Sequence, residues 1–144
     1  MLTLEDVTLR RGDFRLSADL TVPAGRRVAV LGPSGAGKST LLDLIAGFAA
    51  PDTGRILWQG RDITAAPPGA RPVSILFQDN NLFPHLTAAQ NAALALSPSL
   101  RPGREGWRRV EAALARVGLG GMGRRRPAAL SGGERGRVAL ARIA

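Results

Sequence analysis

Gly32-Pro-Ser-Gly-Ala-Gly-Lys-Ser39 is the stretch that decides the fold. It fits the G-x-x-x-x-G-K-[ST] phosphate loop. Glycines at these positions let backbone N–H groups crowd around a triphosphate with no Cβ in the way. The motif places Lys38 at the β- and γ-phosphates and the Ser39 hydroxyl on Mg²⁺. Gly32, Pro33, Ser34, Gly35, Ala36, Gly37, Lys38, Ser39 and Thr40 are therefore the candidate ATP-binding residues. Lys38 is also the only lysine; every other cationic side chain is arginine. The bland alternative is a Gly-rich turn between two unrelated elements, and the flanks argue against it. Val28-Ala29-Val30-Leu31 reads as a buried parallel strand. Thr40-Leu-Leu-Asp-Leu-Ile-Ala46 reads as a helix whose N-terminus faces the phosphates.

The composition narrows the rest. A chain of 144 residues with 44% hydrophobic residues suits one globular domain. Having no cysteine, it offers neither a disulfide framework nor a thiolate metal site. Met1-Leu-Thr-Leu-Glu-Asp-Val7 lacks the basic start of a signal peptide, and no apolar run is long enough to span a bilayer. A soluble, cytoplasmic chain is the expectation. The net charge of +9 raises nucleic acid as a partner. The arginines are scattered, however, and only Arg124-Arg125-Arg126 forms a run. With four Phe, two Trp and no Tyr there is little for bases to stack on, so no nucleic-acid partner is expected.

Outward from the loop, Leu2–Leu9 reads as an edge strand. Phe14, Leu16, Ala18, Leu20 and Val22 alternate with polar residues, as in a half-buried strand. Turns are expected at 23–25 and 51–54. Short strands are expected at Ile56–Trp58 and Val73–Phe77, with a Pro/Gly loop over 64–72. The second half changes character. Thr87-Ala-Ala-Gln90 is a capping box that opens a helix running to about Leu96. Trp107, Val110, Leu114 and Val117 recur at helical spacing, which calls for packing and nothing more. Gly118 to Gly123 ends that helix.

Leu130-Ser131-Gly132-Gly133-Glu134 is a second anion-binding device: a serine N-cap, two glycines and a helix N-terminus. Alone it is weak. Beside a phosphate loop it suggests that each element serves a different nucleotide. A two-fold dimer would then sandwich each ATP between the loop of one chain and the serine helix of the other.

Here the sequence resembles the ATP-binding subunits of ABC transporters. Leu130–Glu134 is similar to their signature, which usually ends in Gln. Gln78 resembles the glutamine of their Q-loop, which binds Mg²⁺ and senses the membrane subunits. The resemblance implies an α/β P-loop nucleotide-binding domain: a RecA-like core with an antiparallel β subdomain and a helical subdomain. It implies boundaries at 1–78 for the β subdomain and core, 79–130 for the helical subdomain, and 130–144 for the signature and its helix. It also implies ATP and Mg²⁺ as cofactors, with Ser39 and Gln78 on the metal. The implied partners are a second copy of the subunit, a transmembrane permease and a periplasmic substrate-binding protein. The implied location is peripheral, on the cytoplasmic face of the inner membrane. Gly32–Phe48 and Arg71–Asn91 look most like the subunits of bacterial thiamine importers, with Asn80-Asn81-Leu82-Phe83 on the permease surface. Importers of iron, sulfate or polyamines share much of this pattern. His85, the only histidine, is expected at the surface or at the coupling interface.

Two departures stand out. The family places an aromatic after its first strand to stack on adenine; here the candidates are Arg11, through its guanidinium plane, and Phe14. The apolar strand ending in Asp-Glu, which supports Mg²⁺ and polarises the attacking water, is also missing from residues 1–144. The expectation is a C-terminally truncated subunit that is incompetent for hydrolysis alone, which keeps a non-catalytic ATP-binding module open as the competing reading. A soluble ABC ATPase acting on ribosomes or DNA would need paired cassettes or large insertions. An attacking water needs a polar or charged group to orient it, and Gln78 is the one candidate. Residues 1–144 are therefore expected to release no phosphate above background. Steady release from the purified chain, abolished by Lys38→Ala, would contradict this.

Overall fold

The computed structural model describes residues 1–77 and 81–143. The chain divides into two compact units, Met1–Ile75 and Leu76–Ala144. The first unit holds an antiparallel sheet of order β2-β1-β3-β4 and one helix. Its strands are β1 (Leu2–Arg11), β2 (Phe14–Val22), β3 (Thr53–Trp58) and β4 (Arg61–Asp62), and its helix is α1 (Lys38–Ala46).

β1 is not the expected edge strand: it pairs with β2 on one side and β3 on the other. Its irregular apolar pattern comes from a bulge. Leu4 faces Leu20 but Val7 faces Ala18, so one residue is inserted between them. Asp6 takes up the change with φ 46°. The insertion resets the phase of the strand, so that Leu4, Val7 and Leu9 are all buried. Opposite the bulge sits Gly54, whose φ is 86° and whose α-carbon abuts the carbonyls of Glu5 and Asp6. β3 and β4 join through Gln59-Gly60, with φ of 51° and 81°, the two left-handed residues of a tight hairpin. Leu41, Leu44 and Ile45 of α1 pack against Leu4, Val7, Leu9, Ile56 and Ile63 to make the core of this unit.

Two expected strands do not form. Val28–Leu31 and Val73–Phe77 enter no ladder among the described residues. Leu31 is 89% exposed, and Val28, Val30, Leu76 and Phe77 are exposed as well. The reason is physical: a buried parallel strand needs strands paired on its flanks, and the sheet among the described residues includes neither segment. The apolar runs are present, but the ladder that would bury them is not.

One buried arginine organises the C-terminal end of α1. Arg71 is 7% exposed. Its guanidinium donates to the carbonyls of Leu44 (2.7 Å) and Ile45 (3.0 Å) in the last turn of α1. It also donates to Thr64 (2.7 Å) and Ala66 (2.8 Å) in the following loop. Burial pushes the pKa of this guanidinium down from its ordinary value. The cation sits where unpaired helix carbonyls carry partial negative charge. Gly47 caps the helix at φ 87°, its N–H donating to the Asp43 carbonyl at 2.9 Å.

The second unit is helical: α2 (Ala88–Ala93), α3 (Gly103–Arg116) and α4 (Gly132–Ile143). α2 ends three residues before the expected Leu96; Leu94–Leu96 continue as turns. Its capping box forms as read, with Thr87 and Gln90 each bonding the other's backbone. Two more N–H groups at this end, those of Ala88 and Ala89, donate to the carbonyls of Arg125 (2.7 Å) and Gly123 (2.9 Å). Ala92, Ala93, Val110, Leu114, Leu119, Leu130 and Val138 build the core.

The cap at Gly47 yields a controlled test. Added at Gly47, a Cβ meets both an unfavourable φ and the Arg71 guanidinium; at Gly60 it meets an unfavourable φ and open space. Gly60→Ala is expected to cost about 1 kcal/mol, and Gly47→Ala more than about 3 kcal/mol, in urea unfolding. Equal losses would mean that Arg71 is not the constraint.

Candidate functional site

The phosphate-loop residues lie together at the start of α1. Gly35 (φ 79°) and Gly37 (φ 90°) take left-handed conformations, and Gly37 is the N-cap without any side-chain cap. The first intrahelical bond runs from the Leu41 N–H to the Gly37 carbonyl, at 2.9 Å. The N–H groups of Lys38, Ser39 and Thr40 therefore have no intrahelical acceptor, and they carry the positive end of the helix. The Ser39 hydroxyl makes no hydrogen bond to the described residues. Ser34, Gly35, Gly37, Lys38, Ser39, Thr40 and Phe14 line one cavity of about 340 Å³.

Lys38 is folded back on its own loop. Its Nζ donates to the carbonyls of Gly32 (2.8 Å) and Pro33 (2.7 Å). The Ala36 N–H closes the turn on the Pro33 carbonyl at 3.3 Å. Two neutral carbonyls thus hold the ammonium at the mouth of a cavity lined by N–H donors. A phosphate oxygen is a stronger, charge-assisted acceptor, so an anion in the cavity can draw the ammonium away.

Of the two adenine candidates, Phe14 is the one at the loop. Its ring lies so close to Gly37 that a Cβ there would collide with it. Arg11 is not among the residues lining this cavity; its guanidinium bonds the Arg10 carbonyl at 2.9 Å and lies 3.9 Å from Asp52. Gln78 lies outside the described residues.

Leu130, Ser131, Gly132, Gly133 and Glu134 stand at the start of α4 in the second unit. Leu130 is buried, while Ser131, Gly132 and Gly133 are exposed. The capping box is complete: the Ser131 N–H donates to Glu134 Oε2 at 2.6 Å, and the Glu134 N–H donates to Ser131 Oγ at 3.3 Å. The Ser131 N–H first and the Ser131 side chain next, with smaller help from Arg125 and Arg137, hold the Glu134 carboxyl below its ordinary pKa. A lowered carboxyl pKa means that this cap is fully present above the usual glutamate range and is lost as pH falls through the lowered value. Glu134 therefore keeps the box that the usual Gln would make, but as an anion.

Residues 83–87 are held by a side chain that sequence reading did not single out. Asn91 is fully buried. Its Oδ1 accepts the Phe83 N–H at 2.8 Å, and its Nδ2 donates to the carbonyls of Phe83 (3.1 Å), Leu86 (3.2 Å) and Thr87 (3.0 Å). The available signal was an amide in the alanine-rich run Ala88-Ala-Gln-Asn-Ala-Ala93, where a polar side chain needs several partners. The ring of His85 meets that of Phe83 edge to face at 5.9 Å. Arg142 Nη1 donates to the Asn81 carbonyl at 2.9 Å.

Comparison with known proteins agrees with this layout. The sequence model of a family described as ABC transporter matches residues 16–144. The thiamine import ATP-binding protein ThiQ of Cereibacter sphaeroides is 58% identical over 142 residues, covering 99% of this chain and 62% of that protein. The ThiQ of a Ruegeria species is 57% identical over 145 residues, with the same coverage. The chain thus spans 62% of the length of these curated relatives. Among solved structures, the dimeric post-hydrolysis state of the ATP-binding cassette MJ0796, bound to ADP and Pi, superposes with a TM-score of 0.76 at 29% identity. It covers 99% of this chain and 68% of that one.

Removing the Lys38 ammonium is expected to weaken MgATP binding at least about tenfold, the loss of one charge-assisted phosphate contact. Calorimetry on Lys38→Ala checks this, and an unchanged affinity would rule out the loop as the phosphate site.

Proposed function

Because the chain belongs to the ABC transporter family, we propose that it forms the ATP-binding part of an importer subunit that couples MgATP hydrolysis to thiamine uptake. The observation that carries this is the uncapped start of α1, with three free N–H groups, Lys38 and the Ser39 hydroxyl around one cavity. In this reading Gly32–Thr40 hold the triphosphate, Ser39 and Gln78 hold Mg²⁺, and Phe14 takes the adenine in preference to Arg11.

Ser131, Gly132 and Gly133 present a second uncovered helix start, to an ATP held by another copy of the chain. The subunit works as a homodimer in this reading, as the dimeric cassette MJ0796 is. The names of the curated relatives support thiamine as solute. A permease and a periplasmic binding protein complete the transporter, with this subunit on the cytoplasmic face of the inner membrane. No helix among the described residues is long and apolar enough to cross a membrane.

The second unit offers the permease a groove. Ala92, Ala95, Ala113 and Ala141 floor it and Arg109 and Arg116 rim it, while Arg142 links it to Asn81 in the segment read as permease-facing. Small floor residues let a helix backbone approach closely.

Grafting residues 1–144 onto the remaining sequence of the Cereibacter sphaeroides relative gives a chain of the relatives' length for assay. It is expected to dimerise with ATP and to restore thiamine uptake in cells lacking their own ATP-binding subunit. Ser131→Ala should leave monomer ATP affinity within about twofold, since exposed hydroxyls contribute little alone, yet abolish ATP-driven dimerisation on gel filtration. If monomer affinity falls as far as with Lys38→Ala, the sandwich is wrong. If uptake of iron or sulfate returns in place of thiamine, the solute is wrong.

A further inference from the structure

The second unit carries a cavity that nucleotide binding leaves unused. It measures about 680 Å³ and opens between α3 and the Gly120–Gly123 loop. That is within the roughly 300–1,000 Å³ of small-molecule sites. Leu114 and Leu119, both buried, form its floor. Gly120 and Gly121 leave one wall without side chains, and the φ of 76° at Gly121 keeps it so.

Three side chains give the cavity its chemistry. Trp107 and Glu111 are four residues apart on α3, so they share a face. Arg124 stands among the lining residues with them. Trp107 is half-buried, and none of the described aromatic residues stacks on it. Glu111 has no cation within ion-pair distance among the described residues. Glu111 stands exposed at the cavity within a stretch, residues 76–144, that holds 11 arginines against 4 acids. Arg124 likewise pairs with no acid among the described residues.

We propose that this cavity binds a planar heteroaromatic cation carrying a phosphate ester. The ring lies on the Trp107 indole, whose π-face attracts cations, with the Glu111 carboxylate supplying the counter-charge. The Arg124 guanidinium takes the phosphate through paired N–H donors. One wall of the site reads positive charge and the other negative, so a neutral or singly charged aromatic compound satisfies only half of it. Thiamine monophosphate, a thiazolium phosphate ester, fits this description. Choosing it as first probe rests on the importer reading, and a ligand of this class would let the ATP-binding subunit sense phosphorylated solute.

The test uses the full 144-residue chain and its two indole N–H resonances, the Trp107 signal being assigned by its loss in Trp107→Phe. Titration with thiamine monophosphate, and separately with nicotinamide mononucleotide, should move the Trp107 signal saturably. Glu111→Gln and Arg124→Gln should each weaken binding about three- to fivefold, as for an exposed ion pair. Unphosphorylated thiamine should feel Glu111→Gln and ignore Arg124→Gln. No movement with either probe at millimolar concentration overturns the proposal, as does binding that neither variant weakens. Response to nicotinamide mononucleotide alone supports the cavity and overturns thiamine phosphate as its ligand. The uptake assay on the grafted chain judges the importer reading independently.

Discussion

A single guanidinium holds the nucleotide-facing unit in register. Arg71 gathers four carbonyl oxygens, two from the end of α1 and two from the 64–66 loop, into one buried knot. No carboxylate among the described residues pairs with it; backbone dipoles alone stabilise the charge. Breaking such an arrangement leaves a buried cation without partners, which costs far more than any one of its bonds contributes. Because the knot fixes the far end of α1, it also fixes the near end, where Lys38 and the bare N–H groups lie. The orientation of the phosphate loop thus depends on a residue 33 positions downstream of Lys38, reached through a loop that looks featureless in sequence.

How much could be read in advance depended on how local the physics was. The left-handed glycines of the 32–39 loop and both capping boxes are set by neighbours within four residues, and the structure shows them. The place of β1 in the sheet was not legible, because Asp6 shifts the phase of the pattern midway through the strand. Nor were the roles of Arg71, whose partners are split between the last turn of α1 and the loop after β4, and of Asn91, whose partners lie in the 83–87 stretch. The fate of Val28–Leu31 and Val73–Phe77 marks a different boundary. Apolar composition announces that a segment wants burial; only the presence of neighbouring strands decides whether it becomes a strand.

The starts of α1 and α4 expose their N–H groups in opposite ways. At α1 the N-cap is a glycine in a left-handed conformation, so no side chain competes for the exposed N–H groups. At α4 the box between Ser131 and Glu134 uses up part of the donor set and leaves Gly132 and Gly133 as the open portion. The first arrangement can wrap a chain of phosphates. The second can touch only one face of a phosphate already held elsewhere. That difference in donor supply is itself an argument for one grasping element and one closing element.

Asn91 has a mechanical consequence. Its amide commits its N–H groups and one Oδ1 lone pair to the 83–87 backbone, tying that stretch to the first turn of α2. The carbonyls of Gly123 and Arg125 cap the same helix end, so an unbroken run of short, directional bonds joins the 83–87 stretch to the segment that leads to Ser131.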